Sequence, residues 1–227
     1  MNPTRLFLKD RKILLRVAEK SDYDKTLQFL RKHFYPYDTF GQGNSQCRED
    51  EEIEMQSIDS GTSVLAISDD SKMELVGVSL ARDFREHDSR KLLKRLQNLS
   101  DQRGHPTDLD GLIFLEELKL RSEVCRRFGI NEVLYTSLTC VREDFRKLTL
   151  SNILIDKTIE CGAKLGFKFA FGLTLAEIPY IFMRSLQYQT FYSLKFVDYV
   201  NYRGIRVFSH FPPEAIANVA GKPIKIQ

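Results

Sequence analysis

The 227-residue chain has no tryptophan, and its four cysteines and four histidines are scattered along it. Cys47, Cys125, Cys140 and Cys161 include no close pair, and three of them lie in apolar stretches. They read as reduced, buried thiols, which excludes a disulfide framework or a cysteine-rich zinc module. His33, His87, His105 and His210 show no ligand spacing, so neither a structural nor a catalytic metal is expected. No apolar run approaches the ~20 residues of a membrane span. The segment from Met1 to Lys9 carries no apolar run of signal-peptide length and no small-residue cleavage site, so a cytosolic protein is expected. A net charge of +3 is too small to argue for nucleic acid. The one basic cluster, Arg90, Lys91, Lys94 and Arg95, sits among Leu92, Leu93, Leu96 and Leu99 with no interleaved aromatics for base stacking. It reads as a solvated helix face. No internal repeat, low-complexity tract or Pro/Gly/Ser linker divides the chain, so a single domain over residues 1–227 and a monomer are expected.

With 42% hydrophobic and 29% charged residues the composition is that of a soluble globular protein large enough for an ordinary core. Ile13 to Val17 alternates like a first strand. Ser21 then opens Ser-Asp-Tyr-Asp, a capping-box pattern, ahead of Tyr23, Leu27, Leu30 and Phe34 at helical spacing. Pro36 stops that helix and begins a loop through Gly43. Glu49 to Ile58 is an acidic helix, whose dense charge reads as a solvated face. Strands over 63–67 and 74–80 are joined by Asp69-Asp70-Ser71-Lys72 as a hairpin. Helices follow over about 88–99 and 109–128, the second closed by Gly129. Beyond Gly166 come a strand over 167–173, a helix over 176–187, two long strands over 190–200 and 204–210, and a last strand near 215–220. The order implies a mixed sheet covered by helices.

The richest stretch runs from Asn131 to Leu165. A strand-like run, Glu132 to Val141, enters a basic turn, Arg142-Glu143-Asp144-Phe145-Arg146-Lys147, and then a helix carrying Leu150, Ile153, Leu154, Cys161 and Leu165. A strand feeding a helix N-terminus is where a fold offers unpaired backbone N–H groups and a positive dipole end to a phosphate. The glycines usual in such a turn are absent.

Four segments together resemble the GCN5-related N-acetyltransferase superfamily, and more narrowly the insect arylalkylamine N-acetyltransferase-like proteins. They are Arg16-Val17 with Asp22-Tyr23-Asp24 and Phe29 to Pro36; Ser57-Ile58 with Gly61-Thr62-Ser63 and Val76 to Ala81; Phe128-Gly129 through Val133-Leu134 and Val141 to Arg146; and Lys195 to Tyr199 with Val207-Phe208 and Pro212-Pro213. The match covers nearly the whole chain. It implies an α/β fold with a twisted mixed sheet of about seven strands and helices on both faces.

The resemblance also implies an activity: acetyl-CoA-dependent acylation of a small primary amine of arylalkylamine type, by direct attack of the amine on the thioester, with no metal. Acetyl-CoA is then the co-substrate, and neither nucleic acid nor membrane is a partner. The family's coenzyme A window falls on Arg146, Lys147, Leu148, Thr149, Leu150 and Ser151, with Thr149 where the key glycine is expected. Main-chain groups of Thr139, Cys140 and Val141 would receive the pantetheine arm. The family's general base, a Glu in a Glu-Pro pair after the first helix, becomes Asp38 followed by Thr39. The thiolate-protonating tyrosine falls near Met183, one turn from Tyr180, and the family's histidine after the paired prolines is Glu214. An amine pocket would be lined from the 34–42 loop and the C-terminal strands. The alternative implied by these altered positions is a catalytically impaired paralogue that binds coenzyme A or an amine without efficient turnover.

Overall fold

A computed structural model of the chain describes residues 3–40, 48–104 and 107–225. In chain order the elements are β1 (Thr4–Leu8), β2 (Arg11–Val17), α1 (Tyr23–His33), α2 (Arg48–Gln56), β3 (Val64–Ser68), β4 (Leu75–Phe84), α3 (Glu86–Gln102), α4 (Thr107–Arg121), α5 (Val124–Phe128), β5 (Val133–Val141), α6 (Leu150–Lys164), β6 (Phe169–Thr174), α7 (Glu177–Ser185), β7 (Gln189–Lys195) and β8 (Ile216–Pro223). The strands form one mostly antiparallel sheet of eight, ordered β1-β2-β3-β4-β5-β6-β8-β7. The α/β class is as expected, with one strand more than seven. Contacts divide the chain into two compact units, Met1–Asp83 with Leu134–Ala170 and Ile224–Gln227, and Phe84–Val133 with Phe171–Pro223.

In the first unit the hairpin ladder from β1 to β4 is antiparallel throughout. Every residue of β3 is buried, because the strand is covered on both sides. Leu65 and Ile67 pack with Phe29 and Leu30 of α1, Met55 of α2, and Leu138 and Cys140 of β5. Val64 and Ala66 pack with Leu150, Leu154 and Cys161 of α6. Each fully buried leucine contributes about 1.5–3 kcal/mol relative to exposure, so this two-sided core holds α1, α2 and α6 to the sheet. Gly77 on β4 and Gly162 on α6 allow the close approach: a Cβ at Gly162 would meet Leu134 Cδ2 at 2.6 Å, and one at Gly77 would meet Leu154 Cδ1 at 2.9 Å. The β3–β4 register shifts so that Ala66 pairs with Gly77 and Ile67 with Leu75, leaving Val76 as an extra residue. The Val76 carbonyl instead accepts the Arg142 amide at 2.9 Å.

The start of α1 differs from the expected Ser21 cap. Lys20–Asp22 forms a 3-10 turn, and the Asp22 carboxylate accepts the Glu19 amide at 2.9 Å. That carboxylate also takes both terminal nitrogens of Arg16, at 2.6 and 2.5 Å. Arg16 holds the Asp22 pKa below its ordinary value, against the cost of burial.

In the second unit α3 and α4 are tied by the buried Glu116, which accepts the Ser89 hydroxyl at 2.6 Å and pairs with the buried Lys119. Phe114 sits in an aromatic cluster with Phe196, Tyr199 and Phe208. Three expectations change here. The helix expected over 109–128 breaks at Glu123, which adopts φ 50°, into α4 and α5. The expected strand over 190–200 ends at Lys195. The segment 204–210 is not a strand, because the Asn201 side-chain oxygen accepts the Arg203 and Ile205 amides and turns the chain, so β7 pairs with β8. Arg90, Lys91, Lys94 and Arg95 lie on an exposed face of α3. Cys125, Cys140 and Cys161 are buried thiols outside any disulfide. Cys47, His105 and the Gly41–Gln42 end of the expected pocket loop lie outside the described residues. Among the described residues no helix is long and apolar enough to cross a membrane.

Candidate active site

Within the first unit, β5 delivers the chain to the start of α6 through a 3-10 turn over Glu143–Leu148. Thr149, the residue before the helix, adopts φ 57° and ψ 13°. That is the left-handed conformation a glycine takes without cost, and a β-branched side chain enters it at about 1–3 kcal/mol. Thr149 thus adopts a glycine-like conformation at the position where the resemblance expects a glycine. The Thr149 carbonyl accepts the Asn152 and Ile153 amides at 3.1 and 3.3 Å, which closes the first helical turn. Leu150, 0% exposed, anchors it in the core. Helix geometry leaves the amides of Leu150 and Ser151 without an intrahelical carbonyl, at the positive end of the dipole. The exposed Arg146 donates Nε to the Val141 carbonyl at 3.1 Å, and its guanidinium lies 5.9 Å from the Tyr37 ring. Arg146 thus adjoins the segment that carries Asp38.

The turn is held by charge. Arg142 binds Asp144 at 2.7 Å and Glu74 at 2.8 Å, and Arg11 reaches Asp144 at 2.9 Å. Arg142, then Arg11, lower the Asp144 carboxyl to about 2. Both guanidiniums also lie on the Phe145 ring, at 4.9 and 4.2 Å.

Along β5, Thr139 donates its hydroxyl to Ser79 of β4 at 3.1 Å, while Cys140 is buried with its thiol pushed up to about 12 by loss of hydration. Such a thiol stays protonated at neutral pH and is no nucleophile. Ser137 donates to Glu54 of α2 at 2.6 Å and to the Leu80 carbonyl at 3.2 Å.

Asp38 follows a 3-10 turn over Tyr35–Tyr37, is half-buried, and accepts the Phe40 amide at 3.3 Å. It is not alone. Asp50, Glu51 and Glu54 of α2 share its surroundings, all four carboxylates acting on the Tyr35 phenol. Glu51 is matched by a two-point pair with Arg31 at 2.7 and 2.6 Å. Asp50 keeps part of its surface, yet its carboxyl is held well above the usual range by loss of hydration, then by Glu54 and Asp38, with Arg82 opposing. The reading of residues 49–54 as a solvated face is thus corrected: Glu49 and Glu51 are buried and Glu54 is engaged with β5. Ile53 and Met55, set inside the acidic run, were the available signal, because burying them must carry neighbouring carboxylates inward.

Tyr180 and Glu214 belong to the second unit. Tyr180 lies half-exposed on α7, its phenol held below the usual value by hydrogen bonds with Thr190 and Arg184, and Met183 is buried. Glu214 is exposed in the turn before β8.

No protein-family model matches the sequence, and no curated protein matches it. Solved structures do. A mosquito arylalkylamine N-acetyltransferase-like 5b superposes with a TM-score of 0.81 at 22% identity, over 93% of this chain and 99% of that one. A Drosophila melanogaster polyamine N-acetyltransferase does so with 0.81 at 19%, over 93% and 99%. An Arabidopsis thaliana NAA60 in complex with acetyl-CoA gives 0.56 at 14%, over 93% and 99%. The chain has the fold of the GCN5-related N-acetyltransferases.

Proposed function

We propose that this protein is an acetyl-CoA-dependent N-acyltransferase acting on a small primary amine. One observation carries the reading most: a glycine-like backbone at Thr149 opens α6 three residues after Arg146, whose guanidinium lies 5.9 Å from the ring of Tyr37, the residue before Asp38. The amides of Leu150 and Ser151 with the Arg146 guanidinium suit a pyrophosphate, and main-chain groups of Thr139, Cys140 and Val141 suit the pantetheine arm. Asp38 accepts a proton from the substrate ammonium, directly or through one water. The freed amine attacks the thioester carbonyl, the C–N bond forms, the C–S bond breaks, and the proton that the nitrogen sheds on becoming an amide goes to the sulfur, so coenzyme A leaves as the thiol. Because the Cys140 thiol stays protonated, direct attack fits this chemistry better than an acyl-cysteine relay. Positioning of two bound reactants supplies much of the acceleration. The fold shared with N-acetyltransferases supports the assignment.

A thermal-shift titration with acetyl-CoA tests the binding half, since a ligand bound only by the native state raises the melting temperature as its concentration rises. An unchanged melting temperature at saturating acetyl-CoA would contradict the proposal.

A further inference from the structure

Between α1 and the turn that joins β3 to β4 lies a groove of about 460 Å³ in which cations outnumber carboxylates. One wall is a single face of α1, where Lys25, Phe29, Lys32 and His33 follow at helical spacing. The opposite wall is the segment Lys72–Leu75, and Arg142, just past β5, completes the lining. Two contacts hold the walls together: Lys25 donates Nζ to the Met73 carbonyl at 3.3 Å, and Arg142 pairs with Glu74 at 2.8 Å. Asp70 accepts the Lys72 and Met73 amides at 2.9 and 3.3 Å, which fixes the turn that presents Lys72. Phe29 and Leu75 are buried and give the groove an apolar floor.

The one carboxylate in the lining, Glu74, belongs to Arg142, which Asp144 also engages. Just outside, Asp22 takes Arg16 and Asp70 takes the turn amides. Lys25 and Lys72 act on Asp22 and Asp70 from a distance, but among the described residues Lys25, Lys32 and Lys72 form no ion pair. His33 registers the excess of positive charge. Its ring lies 4.8 Å from that of Phe29, and burial, then Lys32, Arg142 and Arg146, hold its pKa below the usual value, with Asp144 opposing. Like charges gathered on facing walls repel one another, and a bound polyanion relieves that repulsion.

Going beyond the acyltransferase reading and not resting on it, we propose that this groove binds a ligand carrying two or more linked phosphates, at a site separate from the turn over residues 146–151. The number and spacing of the cations select this class. Lys25 and Lys32 stand seven residues apart on α1, about 10 Å along its axis, and Lys72 reaches in from the opposite wall. A carboxylate brings one charge and two oxygens, enough for one ammonium. Linked phosphates bring several charges and enough acceptor oxygens to engage all three. Lysine suits such a ligand because its ammonium is a point charge on a flexible stem, free to follow the phosphates.

Inorganic pyrophosphate is the probe, added to the whole protein at constant ionic strength while the His33 ring is followed by NMR across pH. Loss of the signal in His33→Gln identifies it. A bound anion favours the imidazolium, so the His33 pKa is expected to rise by about one unit, saturably, and to do so with saturating acetyl-CoA present as well as without it. Lys32→Gln combined with Lys72→Gln weakens the apparent affinity about tenfold or more. Both lysines are exposed, so the pair of substitutions leaves the fold intact, which circular dichroism checks. A His33 pKa that pyrophosphate leaves unchanged overturns the proposal. So does a response that the lysine pair keeps and Arg146→Gln removes, which puts the anion on the turn before α6. A response that acetyl-CoA displaces gives the groove to acetyl-CoA itself and overturns it as a separate site.

Discussion

Replacing Thr149 with glycine tests the strain at the start of α6. The threonine adopts φ 57°, a conformation that costs an L-residue about 1–2 kcal/mol and more when the side chain is β-branched. Its side chain makes no capping hydrogen bond to the helix and the residue is exposed, so truncation loses no cap. Against the relief stands the greater freedom of glycine in the unfolded chain, at most ~1 kcal/mol. The balance is a gain of about 0.5–1 kcal/mol, or roughly 1–4 °C in melting temperature for a chain of this size. Thr149→Gly is also expected to tighten acetyl-CoA binding, because it removes the Cβ branch where pyrophosphate and backbone meet. Calorimetry reads both effects, melting for stability and titration for acetyl-CoA. A less stable variant would refute the strain argument. A variant that binds acetyl-CoA more weakly would show that the threonine hydroxyl is itself a phosphate ligand.

Three further outcomes are expected. Asp38→Asn lowers kcat/KM at neutral pH by about 100-fold or more, with the deficit shrinking at high pH where free amine arrives unaided; a fully active variant places the base elsewhere. Asp22→Asn destabilises by about 3 kcal/mol in denaturant titration, the low end for a broken buried pair because Arg16 keeps 26% of its side-chain surface. Since Arg16 lowers the Asp22 pKa, that stabilisation is present above the unfolded carboxylate value and is lost as pH falls through the folded one; the variant therefore shows a shallower acid limb. Gly162→Ala places a Cβ 2.6 Å from the tip of Leu134, which is 0% exposed and cannot swing clear, so a loss of about 1–2 kcal/mol remains after the gain in helix propensity. An unchanged melting temperature would show that Leu134 repacks freely.

The parts of the fold legible in the sequence are those with a strong local signal. The spacing of Tyr23, Leu27 and Leu30 matches α1, and Gly129 and Gly166 take the left-handed conformation expected of helix ends. The strand–turn–helix from 133 to 164 lies where the apolar pattern puts it, with a 3-10 turn inserted over Glu143–Leu148. The misses have tertiary causes. Strand β1 alternates between half-buried and exposed residues and so lacks the apolar contrast that marks a strand. Phe208 is buried by stacking on Tyr199 and packing on Phe114 rather than by a sheet, which periodicity cannot distinguish. Asp38 could be placed only by resemblance. The engagement of Glu54 was missed because charge density alone says nothing of the Ser137 side chain that meets it.

The most direct measurement is the mass of the amine after incubation with purified protein and acetyl-CoA, alongside a control without protein. The account predicts an acetylated amine formed in step with coenzyme A thiol, at a rate proportional to protein concentration and strongly reduced by Asp38→Asn. Acetyl-CoA that binds and shifts the melting temperature while every amine in a broad panel stays unmodified would contradict it.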